Sequence, residues 1–291
     1  MKEVVVLSGK GGTGKTTLVG SLASLVERKV LADCDVDAAD LHLLLNPTSR
    51  EESDFWSGQV AFIDPGKCLQ CGLCQDVCRF GAVNDFTVDP VSCEGCGFCS
   101  RVCPGGAITM NENLSGQLFL SETRYGLLVH ARLGIAQENS GKLVSQVRQR
   151  ARQIAEEQQA DYIISDGPPG TGCPVISSLS GADLAILVTE PTLSGMHDLE
   201  RITGVCAHFG VPPCVCINKF DINEENTREI ERYCAARDVS VIARIPFDNA
   251  VTRALINGVP VVEYMDGAVS RKIEKLWQTA SGMLERSAQH A

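Results

Sequence analysis

Over most of its length the chain alternates short apolar runs with amphipathic stretches, a pattern that predicts strands and helices taking turns around a mostly parallel sheet. Val4-Val5-Val6-Leu7 is the first run, and Ala185–Val188, Cys214–Ile217 and Val241–Arg244 repeat it later. Runs without polar alternation suit strands covered on both faces. Lys29–Asp37 reads as a second short strand ending in three carboxylates, followed by a helix near Ala38–Leu45 with Asp37 as its candidate N-cap. Leu143, Val147, Ala151 and Ile154 recur at helical spacing and predict a long helix over Ser140–Gln159. Gln117–Ser121 and Tyr125–His130 alternate instead, as an antiparallel strand pair would.

From about Asp64 to Glu112 this rhythm stops and an internal repeat of 25 residues replaces it. Cys68-x-x-Cys71-x-x-Cys74-x-x-x-Cys78 returns as Cys93-x-x-Cys96-x-x-Cys99-x-x-x-Cys103. The offset extends to Gly72/Gly97, Val77/Val102, Gly81/Gly106 and Ala82/Ala107. The expected organisation is therefore an α/β domain in two parts, 1–63 and 113–291, with a small α+β domain inserted at 64–112.

Between the first strand and the next helix lies Ser8-Gly9-Lys10-Gly11-Gly12-Thr13-Gly14-Lys15-Thr16-Thr17. Its GxxxxGK[ST] spacing, strand before and helix after, reads as a phosphate-binding loop. Glycines let successive N–H groups converge on phosphate oxygens, and the helix dipole adds positive charge. Lys15 would contact the terminal phosphates and the Thr16 hydroxyl would sit on Mg²⁺. Three carboxylates, Asp33, Asp35 and Asp37, close the second strand, at the end where α/β sheets bind ligands.

With 291 residues, 44% hydrophobic, the chain can fill one large core and a small one. No apolar run approaches the roughly 20 residues that span a bilayer, and the N-terminus is strand rather than a cleavable signal, so a cytoplasmic location is expected. A net charge of −10 offers no general footprint for nucleic acid. Fourteen cysteines in a reducing compartment suggest metal ligation rather than disulfides.

Lys10, placed after the first glycine, makes KGGTGKTT resemble the deviant Walker A loop of the MinD, ParA, Mrp and nitrogenase iron protein superfamily, a P-loop NTPase fold. That resemblance implies ATP binding and hydrolysis, with Lys10 acting across an ATP-sandwiched homodimer; a solvated surface lysine is the alternative. It also implies that Asp33 supports Mg²⁺ through water, that Asp35 positions or deprotonates the attacking water, and that Asp166 in Asp166-Gly167-Pro168-Pro169-Gly170 holds the Mg²⁺ shell. By the same resemblance the Gly170 amide senses the γ-phosphate, Asn218 binds the adenine edge and the loop from Pro246 closes over the base. Asn218-Lys219-Phe220-Asp221 also has the spacing that suits guanine, so ATP over GTP rests on the resemblance.

The cysteine repeat resembles a bacterial two-cluster ferredoxin. In that spacing the fourth cysteine of each run serves the other [4Fe-4S] cluster, which pairs Cys68, Cys71 and Cys74 with Cys103, and Cys93, Cys96 and Cys99 with Cys78. Arg79 stands where such ferredoxins usually carry proline. Zinc knuckles also use CxxC, but four zinc ligands leave the triple spacing unexplained. Outside the repeat, Cys34, Cys206, Cys214, Cys216 and Cys234 read as small buried hydrophobes. Cys173 lies near where the nitrogenase iron protein places a bridging cysteine, and is kept as a transient metal contact.

Together the modules resemble MinD-superfamily ATPases with inserted ferredoxins, including those of the orange-protein metallocluster complex. The implied function is electron delivery under ATP control to metallocluster assembly on a client protein. Two rivals are a nitrogenase-iron-protein-like reductase and a positioning ATPase with a redox-sensing module. The C-terminal segment with Arg271, Lys272 and Lys275 is expected to pack on the sheet rather than to anchor in a membrane, because Glu274 and Glu285 dilute its charge.

Overall fold

The computed structural model describes residues 1–134 and 139–289. The chain begins β1 (Lys2–Ser8), α1 (Lys15–Leu25), β2 (Lys29–Asp33), α2 (Leu41–Leu45) and β3 (Thr48–Ile63). It continues α3 (Leu73–Asp76), β4 (Val83–Asn84), β5 (Thr87–Val88), α4 (Phe98–Val102), β6 (Ile108–Thr123) and β7 (Gly126–Leu133). The rest is α5 (Ser140–Glu157), β8 (Tyr162–Pro169), α6 (Cys173–Leu179), β9 (Leu184–Thr189), α7 (Leu193–His208), β10 (Pro213–Asn218), α8 (Glu224–Ala235), β11 (Ser240–Ile245), α9 (Asn249–Ile256), α10 (Val261–Tyr264) and α11 (Ala268–Gln289). Strand order in the large sheet is β11-β10-β9-β1-β8-β2-β7-β6-β3. The pairs β1·β8, β1·β9, β9·β10, β10·β11, β2·β8 and β2·β7 are all parallel.

Successive side chains of a strand point to opposite faces, and β1 shows what that does to an unbroken apolar run. Val4 and Val6 enter one core with residues of α1, α2 and α11, whereas Val5 and Leu7 enter a second core with α6, α7 and α8. Both faces are covered, as the sequence pattern requires. The helix expected over Ser140–Gln159 is α5, with Leu143, Val147, Ala151 and Ile154 buried. Strands β6 and β7 are neighbours joined by the turn at Arg124 and Tyr125. In α11, Ile273 and Leu276 join the core, and Trp277 meets the Tyr162 ring edge-on at 5.1 Å. No helix among the described residues is long and apolar enough to cross a membrane.

One boundary is corrected. The second helix starts at Leu41 with Asp40 at its N-cap, so Asp37 does not cap it. Residues 36–40 are instead held by turns such as Ala38 N–H to the Asp35 carbonyl, 3.1 Å.

A buried ion cluster escapes any periodicity argument. Glu3 in β1 accepts from Arg148 Nε at 2.6 Å and from Arg152 Nε at 2.8 Å, both on α5, while Arg148 Nη1 donates to the Ser177 and Ser180 carbonyls at the end of α6. Glu3 and Arg148 are 3% and 5% exposed, so breaking the pair strands a charge in the core. Arg148→Ala should destabilise the fold by about 3–5 kcal/mol in urea unfolding. A change within about 0.5 kcal/mol would show that water replaces the guanidinium.

The chain divides into two compact units: Met1–Glu52, Phe119–Ala131 and Ser140–Ala291 in one, Ser53–Leu118 and Arg132–Asn139 in the other. The smaller unit reaches beyond 64–112 because β3 and β6, 16 residues each, carry its chain in and out. Inside it the repeat is written into the backbone. α3 and α4 follow left-handed Gly72 (φ 77°) and Gly97 (φ 69°), positions a side chain would strain. Asp64 N–H donates to the Ala107 carbonyl at 2.8 Å, and Asp89 N–H to the Ala82 carbonyl at 2.7 Å, so each repeat's start pairs with the other repeat's end.

Candidate functional site

The parallel strands of the larger unit end their runs along one sheet edge, the place where α/β folds gather ligand-binding loops. β1 feeds the loop from Ser8 to Lys15, and β1 lies between β9 and β8. Gly9 permits a close approach: a Cβ there would meet Asp198 Cβ of α7 at 2.1 Å. Gly11 and Gly12 are exposed, Gly12 with φ 78°, and Gly14 with φ 96° precedes α1. Thr13 is buried, and Thr17 lines the cavity described below.

Four of the expected phosphate and magnesium residues come together below this loop. Lys15 is 5% exposed with Nζ 3.7 Å from Asp35 Oδ2. Asp33 and Asp166 are register partners on β2 and β8, each 1% exposed. Asp33 Oδ1 accepts from the Asp35 N–H at 3.1 Å. Its Oδ2, Asp166 Oδ1 and Thr13 Oγ1 are buried without a hydrogen-bond partner among the described residues. Burial pushes the Asp166 carboxyl up to about 6, opposed by Lys15 and by the Thr16 hydroxyl bonded to it. Burial and then the Asp166 charge hold Asp33 well above the usual carboxylate range, and burial raises Asp35 against the pull of Lys15. Two buried carboxylates with unused oxygens beside a threonine hydroxyl form a hard-oxygen donor set suited to Mg²⁺ with its waters.

That arrangement costs stability while no cation is bound. A carboxyl whose folded pKa lies above its unfolded value stabilises the fold below the unfolded pKa and loses that contribution as pH rises through about 6. Asp166→Asn should therefore raise the melting temperature of the nucleotide-free protein at pH 7.5 and abolish Mg²⁺-dependent nucleotide affinity. A variant that melts lower would mean that the carboxylate is paired after all.

Three of the expected groups have partners within the chain. The Gly170 N–H donates to the Ser8 carbonyl at 2.9 Å, tying the end of β8 to the loop. Asn218 Nδ2 donates to the Thr13 carbonyl at 2.8 Å and its Oδ1 accepts from Lys219 N–H at 3.0 Å. Lys10 turns back onto its own chain, with Nζ 3.6 Å from Glu190 Oε2, 3.4 Å from Thr192 Oγ1 and 3.3 Å from Ser194 Oγ. Glu190 also pairs with Lys219. The sequence marks Glu190 only as the residue after β9; its place between two lysines needs the fold.

Pro246 and Gly14 line a cavity whose other walls are largely apolar.

The smaller unit contains two cysteine-lined hollows. The first is lined by Cys68, Cys71, Cys74 and Cys103, the second by Cys78, Cys93, Cys96 and Cys99. Apolar side chains such as Ile63, Ile108, Ala61 and Val83 pack around them. Main-chain N–H groups point at sulfur, Gln70 to Cys68 Sγ and Ala107 to Cys103 Sγ, each at 3.4 Å. Among the described residues no group of three or more His, Cys, Asp or Glu is placed to hold a single metal ion. The remaining cysteines are sorted as expected: Cys34, Cys206, Cys214, Cys216 and Cys234 are buried, and Cys173 is exposed at the start of α6.

Comparison with known proteins bears on the larger picture. Residues 4–261 match the family described as the CobQ/CobB/MinD/ParA nucleotide binding domain. An uncharacterised protein of Methanocaldococcus jannaschii is 32% identical over 279 residues, covering 95% of each chain. The septum site-determining protein MinD of Bacillus subtilis is 25% identical over 270 residues, 89% of this chain and 81% of that one. Among solved structures, the septum site-determining protein MinD of Pyrococcus horikoshii, complexed with Mg-ADP, shares the fold with TM-score 0.59 at 19% identity, covering 97% of this chain and 98% of that one.

Proposed function

The chain belongs to the CobQ/CobB/MinD/ParA family of nucleotide-binding domains, and we propose that it is an ATP-hydrolysing member carrying a ferredoxin-type module for two [4Fe-4S] clusters. Its task in this reading is electron delivery, under nucleotide control, to metallocluster assembly on a partner protein. The carrying observation is the sorting of eight cysteines: each cavity is lined by three cysteines of one repeat and the fourth of the other. The exchanged main-chain bonds at Asp64 and Asp89 bring those fourth cysteines across.

The donor set fits the group. Cys68, Cys71, Cys74 and Cys103 would hold one cluster, Cys78, Cys93, Cys96 and Cys99 the other, one thiolate to each iron. Zinc takes four ligands and would leave the triple CxxCxxC spacing of each run unexplained, which favours clusters. When bound, such clusters supply one-electron transfer. In the larger unit Lys15 and the loop amides bind phosphates, Thr16, Asp33 and Asp166 hold Mg²⁺, and Asp35 orients the attacking water. Lys10 reaches the second subunit of an ATP-bound homodimer once it leaves Glu190, its charge then stabilising the transferring phosphoryl group. Glu190→Gln should accordingly strengthen dimerisation with a non-hydrolysable ATP analogue by up to roughly fivefold in analytical ultracentrifugation, the ion pair being partly exposed. Unchanged dimerisation would mean that Glu190 does not restrain Lys10.

The test is anaerobic EPR of the reduced protein with iron quantified, compared without nucleotide, with ADP and with that analogue. Two-cluster signals that shift with nucleotide support coupled electron delivery. Protein reconstituted with iron and sulfide that shows no cluster signal would remove the redox reading. A second reading, a positioning ATPase, is favoured by the similarity to the Bacillus subtilis septum-site protein. Clusters that ignore nucleotide, together with dimerisation that survives loss of the cysteines, would favour it.

A further inference from the structure

The two halves of the cysteine repeat are unequal around their sulfurs. At the hollow of Cys68, Cys71, Cys74 and Cys103, the Gln70 N–H donates to Cys68 Sγ and the Ala107 N–H to Cys103 Sγ, each at 3.4 Å. The equivalents in the other repeat are Gly95 and Ala82. Gly95 has the same left-handed backbone as Gln70, φ 63° against 51°, yet among the described residues neither it nor Ala82 directs its N–H to a cysteine sulfur. At the third cysteine of each run the halves match, with the Gln75 N–H beside Cys74 and the Ser100 N–H beside Cys99.

Charge differs in the same sense. Glu94, next to Cys93, lines the second hollow, whereas its equivalent in the first is Leu69 and no charged side chain lines that wall. Arg79 and Lys67 line neither hollow, and Lys67 is paired with Asp64 at 3.7 Å. Reduction adds negative charge to an iron–sulfur site, so N–H donors on sulfur favour it and a carboxylate in the wall opposes it. Burial also opposes it, and Cys74 is buried where Cys99 is partly exposed. The accessibility of one sulfur thus stands against two donors and a carboxylate.

We propose that the two sites differ in reduction potential: Glu94 and the missing N–H bonds hold the Cys78, Cys93, Cys96 and Cys99 site below the Cys68, Cys71, Cys74 and Cys103 site, where the first electron taken up therefore rests. This rests on the reading of the small unit as a two-cluster module. Glu94 acts through space and is not a ligand. The test is an anaerobic redox titration of the reconstituted full chain with dithionite, read by EPR at low ionic strength. Cys78→Ala should keep the signal of higher potential and Cys103→Ala that of lower potential. Glu94→Gln should raise the lower potential and leave the higher one in place, Glu94→Asp should restore the wild-type value, and Leu69→Glu should lower the higher one. Because Glu94 is exposed, its effect should shrink in high salt, while the part of the gap due to the N–H bonds should persist. Kept signals of equal potential or in the reverse order overturn the proposal, as does a Glu94→Gln variant whose lower potential does not move. Wild type that shows no cluster signal after reconstitution with iron and sulfide would overturn the two-cluster module itself, which separates the two failures.

Discussion

Lys15→Ala is expected to raise the Kd for a magnesium-bound non-hydrolysable ATP analogue by at least about a hundredfold while the small unit's cysteine cavities remain intact. The Lys15 side chain is buried, and its ammonium stands 3.7 Å from Asp35, beside the carboxylates of Asp33 and Asp166. A hydrogen bond to a charged group is worth about 1.5–3 kcal/mol, and a lysine on two phosphates makes more than one. At 1.4 kcal/mol per tenfold, two such contacts give the expected loss. The truncation also removes the cation that lowers the Asp35 and Asp166 pKa values, so both carboxyls rise further. Lys15→Arg should rescue poorly, because a planar fork does not fit a buried point-charge position. Calorimetric titration decides it. Affinity within threefold of wild type would exclude this loop as the phosphate site, and iron lost along with nucleotide would show that the units do not fold around separate ligands.

Cys103→Ala is expected to remove about half of the iron bound after anaerobic reconstitution, and to damage the site of Cys68, Cys71 and Cys74 rather than that of its own repeat. Cys103 shares a cavity with those three, and its sulfur receives the Ala107 N–H. Cys78→Ala should damage the opposite site, with Cys93, Cys96 and Cys99. EPR of the two variants distinguishes the outcomes, because each should keep one signal and the two kept signals should differ. If both variants keep the same signal, the exchange of fourth ligands is wrong. If each binds as much iron as wild type, the cavities are not cluster sites.

The large sheet was legible because its strands are so apolar. Val4-Val5-Val6-Leu7 carries no polar alternation, and only a strand covered on both faces tolerates that. The short helices were less legible. Asp37 and Asp40 are equally good N-caps by residue type, and the turn that commits residues 36–40 before Leu41 is a matter of backbone geometry.

The site divides in the same way. Residue type and spacing marked the candidate phosphate loop, the carboxylates at the strand ends and the two cysteine runs, since each is local in the chain and limited to few chemistries. Only tertiary structure decided which partner each long-range group takes. Arg148 reaches Glu3 across 145 residues, Lys10 folds back on Glu190, and Asp221 Oδ1 accepts from the Phe247 N–H. A donor's identity is written in sequence. Whether it is free or spent depends on which groups the packed elements bring within about 3 Å, and that distance is fixed only when the sheet and helices have closed around the site.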